Sequence, residues 1–427
     1  MKKILVASTA LLLVAGAAAT SAIAAEDQAG VKISGDARAR LVFKGSYDFG
    51  NTDASDVTFM DSRVRITVKG TAAGGAYAVG RIRLMDNKGE DNDTDSASGV
   101  VDPGNVWIDK AYIGVPFSDA FTIEAGKYRV SYGTGFFYDD INLAGFRGIV
   151  KVGSVEINPF VEWMAEGQNS KISIDKLKDN DSVRMGANIT AKINENWKVG
   201  LLAGYQTDNR AENFNIDVDG VDTNYTVEKS DGAFADVYFS GKQNAFGING
   251  EFVYTESGLN GMTYQSDDHH YTGKDGIGSE DDGWGGYIMP TYTIDALTLG
   301  LNMGFTGGGF LADLNAGFIL IGGDDPITII NVGAAGDWLW AGFVAKYAIS
   351  DSLNLTGNIV YASINADGTK GKSSISDAME ISGALQYTIS KGADFYWYAG
   401  CFIPSFDDPA YSDDPAFGSY GKLEVKF

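Results

Sequence analysis

Apolar and polar residues alternate one for one along three successive stretches near the start of the chain. In residues 31–44, Val31, Ile33, Ala37, Ala39, Leu41 and Phe43 share one parity, and Lys32, Ser34, Asp36, Arg38, Arg40 and Lys44 share the other. In 57–70, Val64, Ile66 and Val68 alternate with Arg63, Arg65, Thr67 and Lys69. In 76–86, Ala78, Gly80, Ile82 and Leu84 alternate with Tyr77, Val79, Arg81 and Arg83. Side chains along a strand point to opposite faces in turn. The pattern therefore predicts three β-strands with one apolar face and one face carrying a bank of guanidiniums.

The alternation continues to the last residue, in segments running from 31–44 to 417–427. A soluble sandwich shows such alternation with its apolar face in a core. A transmembrane barrel shows it with the apolar face on lipid and the polar face on a wet lumen. The connections separate the two. Short ones, such as Gly153-Ser154, Asn244, Asp295-Ala296 and Lys391-Gly392, alternate with long ones, such as 87–105, 166–181, 207–232 and 256–283. That sorting matches short periplasmic turns and long outer loops. The reading is an all-β, antiparallel barrel of 18 strands, with 16 as the alternative, and both termini on the periplasmic side. Segment 307–337 reads as a folded loop, an extra hairpin or part of a neighbouring strand. Trp163, Trp197, Trp284, Trp338, Trp340 and Trp397 fall near strand ends or on aromatic strands, as an interfacial girdle requires.

Composition narrows this further. The chain has 427 residues, 56 acidic against 33 basic, for a net charge of −23. That balance excludes nucleic acid as a partner. The single cysteine, Cys401, permits no intrachain disulfide. Lys2 and Lys3, the apolar run Ile4–Ala19 and the small-x-small motif Ala22-Ile23-Ala24 form a secretory signal over 1–24. Residues 25–427 then form one barrel domain, because no linker or composition shift marks a boundary.

Three segments resemble known outer-membrane sequences. Leu423-Glu424-Val425-Lys426-Phe427 is similar to the C-terminal signal that directs barrel assembly. Ser62–Gly70 resembles an early strand of the Gram-negative trimeric porins. Asp109–Val115 followed by Phe121–Tyr128 resembles the hairpin that in that family leads into the third loop. The resemblance spans about 31–148 and is generic beyond it, apart from the last strand. It implies a water-filled channel in the Gram-negative outer membrane, a homotrimer, and contact with lipid and lipopolysaccharide. It also implies passive diffusion of small hydrophilic solutes and ions, and a loop folded into the lumen.

If the apolar parity faces lipid, Arg38, Arg40, Arg63, Arg65, Arg81 and Arg83 line one lumen wall. Adjacent like charges repel by ~1 kcal/mol per pair in water and more in lower dielectric, so carboxylates or bound anions are needed to offset them. Asp36 and Asp61 share the inward parity. By analogy with the family, the Gly- and aromatic-rich run 130–140 is the inward loop, and Asp139 and Asp140 face the arginines across the constriction. A bulge at Gly126 is expected to turn Lys127 and Arg129 inward. The anion-favouring wall supports a selective channel for anionic solutes as an alternative to general diffusion. An aromatic track would instead favour sugars, and a loop-plugged lumen a structural or adhesive barrel.

No cofactor is required by these residues. Asp91, Asp93, Asp95 and Asp102 have the acid spacing of a calcium loop, but Ser96 replaces the needed glycine and no helices flank it. The motif reads as a solvated acidic loop or a loose Ca2+ or Mg2+ site. His269 and His270 are the only histidines and are adjacent in a loop. No nucleophile–base–acid set is recognisable, so the chain is not expected to be an enzyme.

Overall fold

The computed structural model describes residues 29–47, 49, 56–86, 106–165, 182–209, 213–218, 221–226, 231–256, 282–313, 318–322, 325–366 and 374–427. Residues 1–24, expected from the sequence to be a secretory signal, the acidic motif Asp91, Asp93, Asp95 and Asp102, and His269 and His270 lie outside these residues.

Each alternating segment is a strand. The first nine are β1 (Gly30–Gly45), β2 (Val57–Thr71), β3 (Tyr77–Asp86), β4 (Val106–Ser118), β5 (Phe121–Tyr132), β6 (Tyr138–Val152), β7 (Val155–Ala165), β8 (Ser182–Lys192) and β9 (Trp197–Asp208). A separate two-stranded ribbon follows, β10 (Asn213–Val218) with β11 (Val221–Thr226). The remainder are β12 (Gly232–Gln243), β13 (Phe246–Thr255), β14 (Gly283–Ile294), β15 (Leu297–Gly307), β16 (Gly336–Ser350), β17 (Leu353–Ala366), β18 (Ile375–Ser390), β19 (Ala393–Phe406) and β20 (Ala416–Lys426).

Leaving aside the ribbon, 18 strands form one antiparallel sheet in which β9 pairs directly with β12. β1 pairs with β2 on one side and with β20 on the other, so the sheet closes. Closure leaves no unpaired edge, the condition for spanning a bilayer with strands. Phe427 completes it by exchanging backbone hydrogen bonds with Gly35, at 2.7 and 3.0 Å.

The apolar parity faces outward on every wall, with Ile33, Leu41, Phe117, Phe146, Phe252, Leu339, Ile359 and Leu423 among the exposed residues. Trp163, Trp284 and Trp397 are exposed on this surface, as a girdle requires. Trp338 and Trp340 are not part of it. Both are buried and point inward, where Trp338 Nε1 donates to the Ala334 carbonyl (2.7 Å) and Trp340 Nε1 to Asn302 Oδ1 (3.0 Å). Proximity to a strand end does not report parity, and at these two positions parity decides.

The buried aromatic and aliphatic side chains lie inside the cylinder, where two inward segments pack on the wall. Segment 308–335 resolves the ambiguity of the sequence. Its described residues are a folded loop inside the barrel, with Phe318, Leu320, Ile321 and Ile327 essentially inaccessible. The wall beneath is paved with glycine. A Cβ on Gly418 would lie 2.8 Å from Ile327 Cβ, and one on Gly400 2.8 Å from Leu320 Cδ1. Burial of each such side chain stabilises docking by ~1.5–3 kcal/mol.

Candidate functional site

The six arginines of β1–β3 all point into the lumen, and the register sets some directly beside others: Arg38 opposes Arg63, and Arg65 opposes Arg83. Carboxylates on the same wall hold most of them. Asp36 accepts from Arg65 Nε at 2.9 and 3.0 Å and from Arg63 Nη2 at 3.4 Å. Asp61 accepts from Arg40 Nε at 2.9 Å. Asp109 pairs with Arg81 and lies 3.9 Å from Arg83, whose guanidinium also sits 5.4 Å from the Trp107 ring centroid. Arg38 alone of the six makes no ion pair among the described residues, and its buried Nε meets no acceptor.

Asp109 is placed by a bulge. Arg81 pairs with Lys110 and Ile82 with Ile108, so Asp109 is the extra residue and its buried carboxylate reaches the arginines. Alternation alone gives no hint of a bulge, so it does not place this acid beside the arginines.

The hairpin of β5 and β6 leaves the wall. β5 pairs with β4 only through Lys127, and β6 pairs with β7 only from Ala144, so residues 128–143 pair with each other alone. Gly126 marks the departure with φ 122°, open to glycine but strained for other residues. One face of this hairpin, Tyr128, Val130, Tyr132, Ile141 and Leu143, packs inside the barrel. The other carries Arg129, Ser131, Asp140 and Asn142. Asn142 Nδ2 donates to Asp109 Oδ1 at 2.9 Å, which brings this face to the arginine wall. Arg129 thus comes inward because its strand leaves the sheet.

Asp140 pairs with Arg129 on the hairpin itself. Asp139 accepts from Ser131 Oγ at 3.0 Å. Asp36, Asp61 and Asp109 are acids in direct contact with the wall arginines among the described residues.

Glutamates anchor both inward segments. Glu251 on β13 accepts from the Thr134 N–H and Oγ1 (2.5 Å each), the Phe137 N–H (3.0 Å) and the Phe136 N–H (3.3 Å) at the hairpin tip. Glu162 on β7 accepts from Tyr132 (2.7 Å) and from Arg184 Nη2 (2.7 Å), and the Arg184 guanidinium lies 4.2 Å from the Tyr138 ring centroid. Glu380 on β18 accepts the successive N–H groups of Ile319, Leu320 and Ile321, at 2.9, 2.9 and 2.8 Å. The two segments touch: Asp313 N–H donates to the Phe136 carbonyl (2.9 Å), and Asp139 N–H donates to Asp313 Oδ2 (2.6 Å).

Asp325 on the second segment faces the open end of the arginine wall. It accepts from Tyr420 at 2.6 Å, with Lys422, Arg40 and Arg38 in electrostatic range. Burial raises its carboxyl above the usual range, while the Tyr420 hydrogen bond and these cations oppose the rise. Strand alternation cannot reveal loop acids such as this one, and their value depends on how the loop folds.

The chain is a closed β-barrel of the outer-membrane type, with an apolar outside, a charged lumen and an inward loop between its fifth and sixth strands. No protein-family model matches the chain, and no curated protein matches it in sequence. Solved structures match its fold. The chain is similar to the outer-membrane protein OpdK of Pseudomonas aeruginosa (TM-score 0.57, 12% identity, 93% of this chain and 98% of that one). It is also similar to a BenF-like porin of Pseudomonas fluorescens Pf-5 (0.57, 10%, 93% and 98%) and to OccAB1 of Acinetobacter baumannii (0.56, 14%, 92% and 97%).

Proposed function

We propose that this channel passes small hydrophilic solutes passively and selects for anions, with carboxylate-bearing solutes as its substrate class. The observation that carries the reading is Arg38, a lumen guanidinium with no carboxylate partner among the described residues, set beside Arg40 and Arg63. The paired arginines extend its positive potential along the wall, and the paired hairpin and loop narrow the passage beside them. A carboxylate entering this field replaces water on Arg38 by charge-assisted hydrogen bonds. A transverse field of this kind orients polar solutes and penalises apolar ones. The reading includes a homotrimer and an acidic outer surface that binds divalent cations bridging to lipopolysaccharide.

Reversal potentials in planar bilayers, measured under a salt gradient, test the selectivity. Anion preference is expected in the wild type. It should fall in Arg38→Ala and in Arg65→Ala, and rise in Asp139→Ala. Cation preference in the wild type, or no change in any of the three variants, would refute the anion filter. Conductance steps in threes test the trimer.

A further inference from the structure

The periplasmic end of the barrel, marked by the short turns, carries cations that the constriction does not use. Lys192 ends β8, Lys198 lies at the start of β9 and Lys242 near the end of β12, and these three strands are adjacent in the sheet. All three lysines have lumen parity. Lys192 falls in step with Arg184, Lys198 with Leu202 and Gln206, and Lys242 with Phe234 and Tyr238, each of these buried inside the cylinder. Val199, Leu201 and Val237, on the other parity, are exposed on the outer face. Register sets Lys192 directly opposite Lys198, and Lys198 opposite Ser240. Lys242 is the next lumen residue beyond Ser240 and so the diagonal neighbour of Lys198. Such positions hold Cβ atoms ~5 Å and ~7 Å apart.

Like charges directly opposite each other destabilise a sheet, and the surroundings do not cancel the cost. The three side chains are exposed, and none makes an ion pair among the described residues. Lys198 Nζ stands 5.7 Å from the Tyr238 ring centroid. On one side, Glu156 of β7 accepts from Asn158 Nδ2 at 2.9 Å and lies opposite a further lysine, Lys151 of β6. Glu195 is exposed in the turn between Lys192 and Lys198. On the other side, β13 presents Gly247 and Asn249. Cations therefore outnumber acids here. Their backbone is fixed, since the Lys192 N–H donates to the Ser154 carbonyl and the Lys242 N–H to the Asn196 carbonyl, at 3.0 Å each.

A lysine ammonium is a compact charge with three donors. One singly charged anion does not span three of them, whereas a short chain of linked phosphates does. We propose that Lys192, Lys198 and Lys242, with the Ser240 hydroxyl, form a second anion site that takes multiply charged phosphate anions at the periplasmic mouth. Phosphate oxygens accept from the three ammonium groups, and binding relieves the opposition of Lys192 and Lys198. Lumen parity turns these groups away from the bilayer, which favours a dissolved phosphate over a lipid headgroup. The site is separate from the arginine wall, because several strands lie between β8 and β3 in the closed sheet.

Binding here needs neither conduction nor the anion filter at Arg38, so calorimetry is paired with an electrical measurement. Inorganic triphosphate is titrated into the refolded full chain in lipid-free detergent. It should bind at low salt, orthophosphate should bind about tenfold more weakly, and affinity should fall as ionic strength rises. Lys192→Gln, Lys198→Gln and Lys242→Gln should each weaken triphosphate binding about fivefold, and the triple variant about a hundredfold. Lys346→Gln removes an exposed lumen lysine on β16, remote from the site, and should leave the affinity unchanged. In single-channel recordings, triphosphate should interrupt the current when added to one side of an inserted channel only, and the triple variant should lose the interruptions. Absence of binding to the wild type would overturn the proposal. So would undiminished affinity in the triple variant, which puts the anion at the arginine wall, or an equal loss in Lys346→Gln, which makes the attraction diffuse. Displacement of triphosphate by phosphatidylglycerol would make a lipid headgroup the occupant and overturn it as well. Should the triple variant fail to fold, the single variants and Lys346→Gln decide the matter. A chain that conducts nothing would refute the channel reading and leave the calorimetry standing.

Discussion

Replacing Glu380 tests whether the second inward segment is a fixed part of the lumen. The wild-type carboxylate holds three consecutive N–H groups within 2.8–2.9 Å. A hydrogen bond to a charged acceptor contributes ~1.5–3 kcal/mol net, and a neutral one ~0.5–1.5 kcal/mol. Glu380→Gln keeps the shape and removes the charge, and an amide offers only one oxygen to donors that now share two. The expected loss is about 1 kcal/mol per bond, or about 3 kcal/mol in all. At ~1.4 kcal/mol per factor of ten, the undocked population rises by roughly two orders of magnitude. Glu380→Ala goes further, because it leaves three buried donors without an acceptor at ~1–3 kcal/mol each.

Phe318, Leu320 and Ile327 still bind the glycine floor in both variants, so release is transient. The assay is single-channel recording at constant pH. A steady wild-type level should give way to frequent transitions in Glu380→Gln and to an unstable level in Glu380→Ala. Ser382→Ala, which removes one hydroxyl donor to Glu380, should have the smallest effect. Wild-type conductance and noise in Glu380→Ala would show that apolar packing alone fixes the segment, and the argument from the carboxylate would fail.

Other consequences follow from the same wall. Arg40→Ala strands the buried Asp61 carboxylate and should cost ~3–5 kcal/mol of barrel stability, whereas Arg38→Ala breaks no pair and should leave the thermal unfolding midpoint close to wild type. Asp109→Asn removes the carboxylate from Arg81 and Arg83, so reversal potentials should shift further toward anions. Because burial raises the Asp325 carboxyl, acidification should neutralise it at a pH above the ordinary aspartate range. The negative charge near Arg38 is present above that transition and lost below it, so anion selectivity should step upward as pH falls, and Asp325→Asn should remove the step. On the outer face, Ile359→Arg places a guanidinium in lipid and should cost ~2–4 kcal/mol at the membrane midplane, measured by urea unfolding in detergent or vesicles.

The barrel was legible because period-two alternation is imposed at every residue of a strand with one face in lipid and the other in water. A register slip of one residue would turn Arg63 and Arg65 outward and Val64 and Ile66 inward, so sequence and closed sheet constrain each other throughout β1–β3. The lumen was less legible, for two reasons. Where a strand leaves the sheet, parity no longer separates lipid from lumen. Arg129 has lipid parity yet lies with Asp140 on the lumen side of the hairpin. Where a bulge adds a residue, parity jumps, and Asp109 is hidden by it. Trp338 and Trp340 show the converse, since their parity was readable and outweighs their position near a strand end.

The anchors share a logic that strand patterning cannot express. Glu251, Glu162 and Glu380 sit on inward parity, where any polar residue suits a wet lumen, so nothing marks them as buried. They are buried because each inward segment turns part of the lumen into an interior. There the backbone N–H groups of a turn, no longer solvated, need an acceptor, and a carboxylate can serve several at once. On β1–β3 carboxylates pair with side chains instead of loop backbone, and one guanidinium, Arg38, has no carboxylate partner among the described residues. Acids that accept from loop backbone are partly offset by those donors, while an arginine without an ion-pair partner is offset only by the more distant Asp61 and Asp325. A chain with a net charge of −23 can thus present an anion-attracting wall, since what a solute meets depends on which charges remain uncompensated along its path.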